Sequence, residues 1–127
     1  MNRSSRPLLS LAAAVLLAAG TALAAAPAKT PELVAKGKAS YDINCASCHG
    51  AKGAGDGVAA ASLDPKPRNL ATAPFKNGTA PDQVFATIEK GIPGTGMIPF
   101  AHLSPEERWA LAYYVLELRR GKAAKKK

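Results

Sequence analysis

Cysteine is nearly missing from this chain: there are two among 127 residues, both within positions 45 to 48. Aromatic residues make up only 6 %, with a single tryptophan, while Ala, Gly and Pro are abundant. Few large side chains are left to fill a core, and a chain this short needs a staple of some kind, whether disulfide, metal or bulky cofactor. Histidine occurs twice, as His49 and His102, and methionine beyond the first residue only as Met97. No segment alternates polar and apolar residues as a half-buried strand does, and no segment repeats. The longest apolar run, Leu8 to Ala19, has about a dozen residues and falls short of the ~18 to 20 needed to span a bilayer.

That run belongs to a leader. Arg3 and Arg6 form a short basic start, the apolar stretch follows, and Ala22-Leu23-Ala24 is a small-x-small cleavage signature. Residues 1–24 are therefore expected to be removed as a secretory signal, which points to the periplasm, and no membrane span is expected afterwards. The remaining 103 or so residues suit one domain. They carry fifteen Lys and Arg against nine Asp and Glu, a net charge of +6, and six of the fifteen lie in the last nine residues (Arg119, Arg120, Lys122, Lys125, Lys126, Lys127). Basic surfaces serve nucleic acids, anionic membranes or acidic protein partners, and export disfavours nucleic acid. Residues 122–127 have too little apolar content to fold and are expected to form a basic flexible tail.

Residues 25–30 are an Ala/Pro linker, and 31–121 are expected to form the domain. Thr30-Pro31-Glu32 has the chemistry of a helix start, running to about Asn44. Residues 51–74, rich in Gly and Pro, predict an ordered loop with at most one short helical turn. Pro81 to Lys90 predicts a second helix, with Val84, Phe85 and Ile88 on one face and Gly91 as its stop. Ser104-Pro105-Glu106-Glu107 is a capping box for a last helix, whose Leu111, Tyr114, Val115 and Leu118 follow at helical spacing and whose expected stop is Gly121. Trp109 is expected to pack within that helix's interface. A structureless stretch as long as 51–74 is unusual in a compact domain unless something organises it.

Cys45-Ala46-Ser47-Cys48-His49 supplies that organiser. A Cys-x-x-Cys-His run is the attachment site of c-type haem: two thiols a short turn apart each form a thioether, and the histidine that follows is held beneath the iron. A thioredoxin-like redox pair would need a βαβ context, a zinc site would need further ligands where only His102 remains, and a plain disulfide would not explain the adjacent histidine. The second axial ligand is expected from Met97, in Gly94-Thr95-Gly96-Met97-Ile98-Pro99-Phe100, because a thioether suits haem iron and raises the reduction potential. The competitor is His102, and Met97 as core filler is the bland alternative. Gly53-Ala54-Gly55-Asp56-Gly57 has the look of a phosphate loop but lacks its strand and its Lys-Ser/Thr. It is expected instead to let the chain pass near the haem edge.

With these pieces in order the chain resembles the class I cytochromes c, in particular the bacterial monohaem type, from about Glu32 to Leu118. The resemblance rests on Gly37-Lys38-Ala39-Ser40-Tyr41, the Cys45-to-Gly50 run, Lys66-Pro67-Arg68-Asn69-Leu70, the Gly94-to-Phe100 loop and Leu103-Ser104-Pro105-Glu106-Glu107. It implies an all-α fold, three to five helices with long Gly/Pro-rich loops wrapped around one haem. The first and last helices would cross, with Gly37 permitting close approach and Tyr114 packing there. It further implies that a backbone carbonyl from a proline, Pro67 or Pro65, holds the other ring nitrogen of His49. Arg68 is placed to pair with a haem propionate, or is a solvated surface cation. Similar proteins often put proline directly after the methionine, whereas Ile98 intervenes here, which leaves the shape of this loop open.

The expected function is one-electron transfer through a single haem c with His49 and Met97 as iron ligands, without enzymatic activity, in transient complexes with redox partners bearing acidic docking surfaces. Two rivals stand beside it. One is a haem-bearing subunit of a larger oxidoreductase. The other is a ligand-binding sensor or peroxidase, disfavoured because His102 is the only spare histidine for distal acid–base work.

Overall fold

The computed structural model describes residues 25–124. The expected signal peptide, residues 1–24, and the terminal Lys125 to Lys127 lie outside the described residues. Four α-helices occur among them: α1 (Pro31–Asn44), α2 (Ala46–His49), α3 (Pro81–Lys90) and α4 (Pro105–Ala124), with one 3₁₀ turn at Ala60–Ser62 and no strand. The all-α expectation holds, as does the single helical turn inside the 51–74 loop. No described helix is long and apolar enough to cross a membrane.

The helix starts follow from their caps. Thr30 Oγ1 accepts the Leu33 N–H at 3.2 Å, with Pro31 at the first helical position. At α4, Glu107 N–H donates to Ser104 Oγ at 3.2 Å, and the Glu107 carboxylate takes the Ser104 N–H at 3.0 Å in return, satisfying donors that the first turn leaves orphaned. At α3, the Gln83 side chain reaches back to the Ala80 N–H at 3.0 Å. The end of α4 departs from expectation. The helix runs through Gly121 to Ala124 rather than stopping, so 122–124 are helical and not part of a tail. Among the described residues, nothing lies within 4 Å of where a Gly121 Cβ would be. In such an exposed position glycine costs about 1 kcal/mol against alanine.

Helices α1 and α4 pack together more extensively than any other pair, and α3 packs on α4. The crossing is built on Gly37: a Cβ there would lie 2.0 Å from the Ala110 carbonyl oxygen and 3.0 Å from Tyr114 Cβ. Only glycine allows two helix backbones to approach this closely. Tyr114 meets Tyr41 edge-on at 5.2 Å, and Phe85 stacks on Trp109 at 4.5 Å. Tyr41 and Leu111 are wholly buried, with Val84, Ile88, Ala112 and Val115 around them. The 25–30 linker lies against α4: the Tyr113 hydroxyl donates to Pro27 O at 2.6 Å and Lys29 pairs with Glu117.

Candidate haem site

The cavity between these elements holds the chemistry. It has a volume of about 780 Å³, within the ~300–1,000 Å³ usual for ligand sites. Cys45, Cys48, His49 and Met97 all line it, in the company of Val84, Ile88, Leu111 and Val115 from the core. An apolar hollow of this size in a small helical domain fits a large apolar group.

Helix α1 ends at Cys45, whose backbone (φ −123°, ψ −34°) leaves the helical region, and α2 begins at once. Hydrogen bonding nevertheless continues through the bend, Cys45 N–H to Tyr41 O and His49 N–H to Cys45 O, both at 2.9 Å. The two thiols and the imidazole are thereby delivered by one turn of backbone anchored in the core. Cys45 and Cys48 are not joined to each other. Burial pushes the Cys45 thiol up to about 11, with Cys48 adding to the shift, so it rests as the neutral thiol.

His49 Nδ1 lies 3.1 Å from the Arg68 carbonyl oxygen. A carbonyl only accepts, so Nδ1 carries the proton and Nε2 keeps its lone pair. Burial lowers the His49 pKa, against the opposing pull of the Arg68 carbonyl, which favours the neutral, ligating imidazole. The anchoring carbonyl is thus that of Arg68 and not of Pro67 or Pro65. Pro67 O is turned toward Gly55, where a Cβ would sit 2.5 Å from it, and is committed to that loop contact; Pro65 and Pro67 contribute cavity wall instead. The Arg68 guanidinium donates to Pro74 O at 2.6 Å and lines the cavity, which leaves further donors of its five for an acidic group.

Residues 50–57 do not line the cavity. The chain from Gly55 to Ala59 backs the cysteine turn from behind: Gly55, Gly57 and Ala59 donate to His49 O, Cys48 O and Ser47 O at 2.8, 3.1 and 2.9 Å. The expectation that this loop skirts the haem edge is corrected accordingly; its glycines serve close backbone approach, with a Gly57 Cβ only 2.1 Å from Ser47 O. Met97 lies in a tight turn in which Ile92 N–H donates to Met97 O at 2.9 Å, and Met97 N–H to Thr95 Oγ1 at 3.1 Å. Ile98, between methionine and proline, is 59 % exposed yet still lines the cavity next to Met97, so its insertion leaves Met97 presented to the cavity. His102 is exposed and lies beside Phe100, and it does not reach the cavity.

Three cations line the cavity, Lys66, Arg68 and Lys76, and no carboxylate does. Lys66 donates to Ala60 O and Ala61 O at 3.2 and 2.6 Å, closing the 3₁₀ turn. Sequence reasoning missed the Arg68 carbonyl and the Tyr41 hydroxyl, which donates to Gly50 O at 2.8 Å. A buried tyrosine beside the motif, four residues before Cys45, was the available signal for the latter.

Residues 32–115 match the family model described as cytochrome c oxidase, cbb3-type, subunit III. A search of the curated proteins gives no match. Among solved structures, the chain is similar to one in the reducing HAO-like protein complex of Kuenenia stuttgartiensis, with a TM-score of 0.68 and 36 % identity over 73 % of this chain. It spans 46 % of that chain, a little under half its length.

Proposed function

Since this chain belongs to the family of cbb3-type cytochrome c oxidase subunit III and is a c-type cytochrome serving haem-based electron transfer, we propose that it is a periplasmic one-electron carrier with a single haem c. In this reading His49 and Met97 are its iron ligands, and it has no catalytic activity of its own. The observation that carries the reading is the convergence of both cysteines, His49 and Met97 on one apolar cavity. When bound, haem supplies the ferrous/ferric couple. The chain's own residues do the rest. Cys45 and Cys48 hold the group through thioethers. Arg68 O fixes the His49 tautomer so that Nε2 faces outward from its anchor, as partners of a ligating histidine do. Tyr41, Val84, Ile88, Leu111 and Val115 keep water from the cavity, and a dry setting with a thioether ligand favours the reduced state.

Lys66, Arg68 and Lys76, with no carboxylate among them, would balance the propionates and leave a positive rim. Such a rim steers brief encounters with acidic redox partners, an attraction that weakens as salt rises. The leader pattern of residues 1–24 supports export, and the protein is read as a monomer between encounters. A second reading, a subunit held permanently in a larger oxidoreductase, is favoured by the family's description as an oxidase subunit and by the complex in which its structural relative resides.

Optical spectra of oxidised and reduced protein, with and without carbon monoxide, test the ligation. The carrier shows a low-spin spectrum, a methionine–ferric charge-transfer band that Met97→Ala abolishes, and no reaction with carbon monoxide. Ready carbon monoxide binding by the unmutated protein would overturn the closed six-coordinate reading in favour of a ligand-binding sensor.

A further inference from the structure

Among the described residues, Arg108 is the one buried cation. It lies on the first turn of α4 and is 8 % exposed, a costly placement for a charge that is not fully paired. Its surroundings account for it only in part. The guanidinium centre sits 5.0 Å over the Phe85 ring. Nη2 lies 3.8 Å from Glu89 Oε2, an ion pair too long for a hydrogen bond. Nε finds no acceptor among the described residues. The direct bond is from Nη1 to Ala101 O, at 3.1 Å.

Ala101 ends the methionine loop. The loop leaves α3 at Gly91, folds on itself around Thr95, presents Met97, and is returned to α3 when Phe100 N–H donates to Ile88 O at 3.0 Å. Arg108 takes the next carbonyl. It therefore joins three things through one planar group: the exit of the loop, α3 through Phe85 and Glu89, and α4 on which it stands. Without it the exit of the loop is held by the Phe100 backbone bond and the packing of Phe100 and Leu103 on the core. A charge-assisted bond is among the stronger ones a backbone carbonyl receives, and a fork that serves a carbonyl, a carboxylate and a ring together is something lysine cannot reproduce.

We propose that Arg108 is a positioning residue for Met97: it fixes the loop's exit so that the thioether is held toward the cavity, and it thereby sets how readily another ligand takes the sixth position. The proposal rests on the reading of Met97 as the iron ligand. It assigns Arg108 no contact with the haem.

The test is a titration of the ferric holoprotein with imidazole, read beside the methionine–ferric band and the urea midpoint. Arg108→Met keeps bulk and removes the donors. It is expected to bind imidazole about ten-fold more tightly, equivalent to about 1.4 kcal/mol taken from the methionine-bound state, and to show a weaker band. Arg108→Lys is expected to lie between the two, and it decides the question if Arg108→Met fails to accumulate. In a Met97→Ala background the substitution at 108 is expected to change imidazole affinity no further, since the coupling runs through Met97. A lowered urea midpoint with unchanged imidazole affinity in both variants would reduce Arg108 to a core residue and overturn this inference alone. An unchanged band in Met97→Ala would overturn the ligation reading itself, and this inference with it.

Discussion

The turn that carries His49 is braced from outside, whereas the loop that carries Met97 closes mostly on itself. On the histidine side four successive carbonyls, Ser47 to Gly50, are taken by Ala59, Gly57, Gly55 and the Tyr41 hydroxyl. Leu70 N–H bonds Gly53 O at 2.6 Å, and the imidazole is tied to Arg68. The wall beyond is pinned in turn: Asn69 Oδ1 accepts from Ala71 and Thr72 N–H at 3.0 and 3.1 Å, and Arg119 reaches Ala73 O from α4. On the methionine side the bonds run among Ile92, Thr95, Gly96 and Met97, and the outside attachments gather at Phe100 and Ala101. The His49 side is over-determined and the Met97 side is held by few bonds. On the proposed ligation, that asymmetry names methionine as the ligand lost first under stress.

The comparison is broken most severely by removing the thiols. In Cys45→Ala with Cys48→Ala, all covalent haem should be lost, read as haem released from the denatured protein. Retention through denaturation would sink the attachment assignment. A paired glycine experiment comes next in size. Gly55 (φ +79°) and Gly91 (φ +66°) each have a backbone oxygen, Pro67 O and Met97 O respectively, 2.5 Å from where a Cβ would sit. Each alanine is expected to cost at least about 2 kcal/mol in strain and displacement. Gly55→Ala should lower the urea midpoint and leave imidazole affinity alone, while Gly91→Ala should raise imidazole affinity. Equal effects of both on ligand exchange would erase the asymmetry. The mildest pair is Asn69→Ala against Thr95→Val. The first removes one acceptor oxygen and the two hydrogen bonds it receives, and is expected to cost about 1 to 2 kcal/mol of stability with the methionine band intact. The second removes the hydroxyl that bridges Ile92 O and Met97 N–H, and should weaken the band for about 1 kcal/mol. A Thr95→Val band identical to that of the unmutated protein would show that the turn is held by its backbone alone.

What could be read from the residues beforehand was whatever announces itself through side-chain type and spacing. The Thr30 and Ser104 caps, the face of α3, the Cys-Ala-Ser-Cys-His run and Met97 among glycines are all of that kind; the glycine at the α1–α4 crossing came through the resemblance to class I cytochromes c. What stayed silent was the work of backbone carbonyls. Every residue owns one, so nothing in composition distinguishes Arg68 O from Pro67 O as the anchor of His49. Three of the arginines illustrate the same limit. Arg68, Arg108 and Arg119 look alike on paper, yet their guanidinium groups each seek a main-chain oxygen, of Pro74, Ala101 and Ala73, and one of them is buried. The extension of α4 past Gly121 was missed because a helix-stop residue acts only where a neighbouring turn forms around it.

The contact of Gly37 with Ala110 has a temporal side. The cysteines and His49 belong to the first half of the domain, but α1 has its packing surface only once α4, the last element, is present. Folding must therefore wait for the far end of the chain, since long-range closure precedes any gain from it. Until then the Cys-Ala-Ser-Cys-His turn stands on an open chain, without the wall of α4 behind it. The clasp between the first and last helices thus orders events as well as atoms.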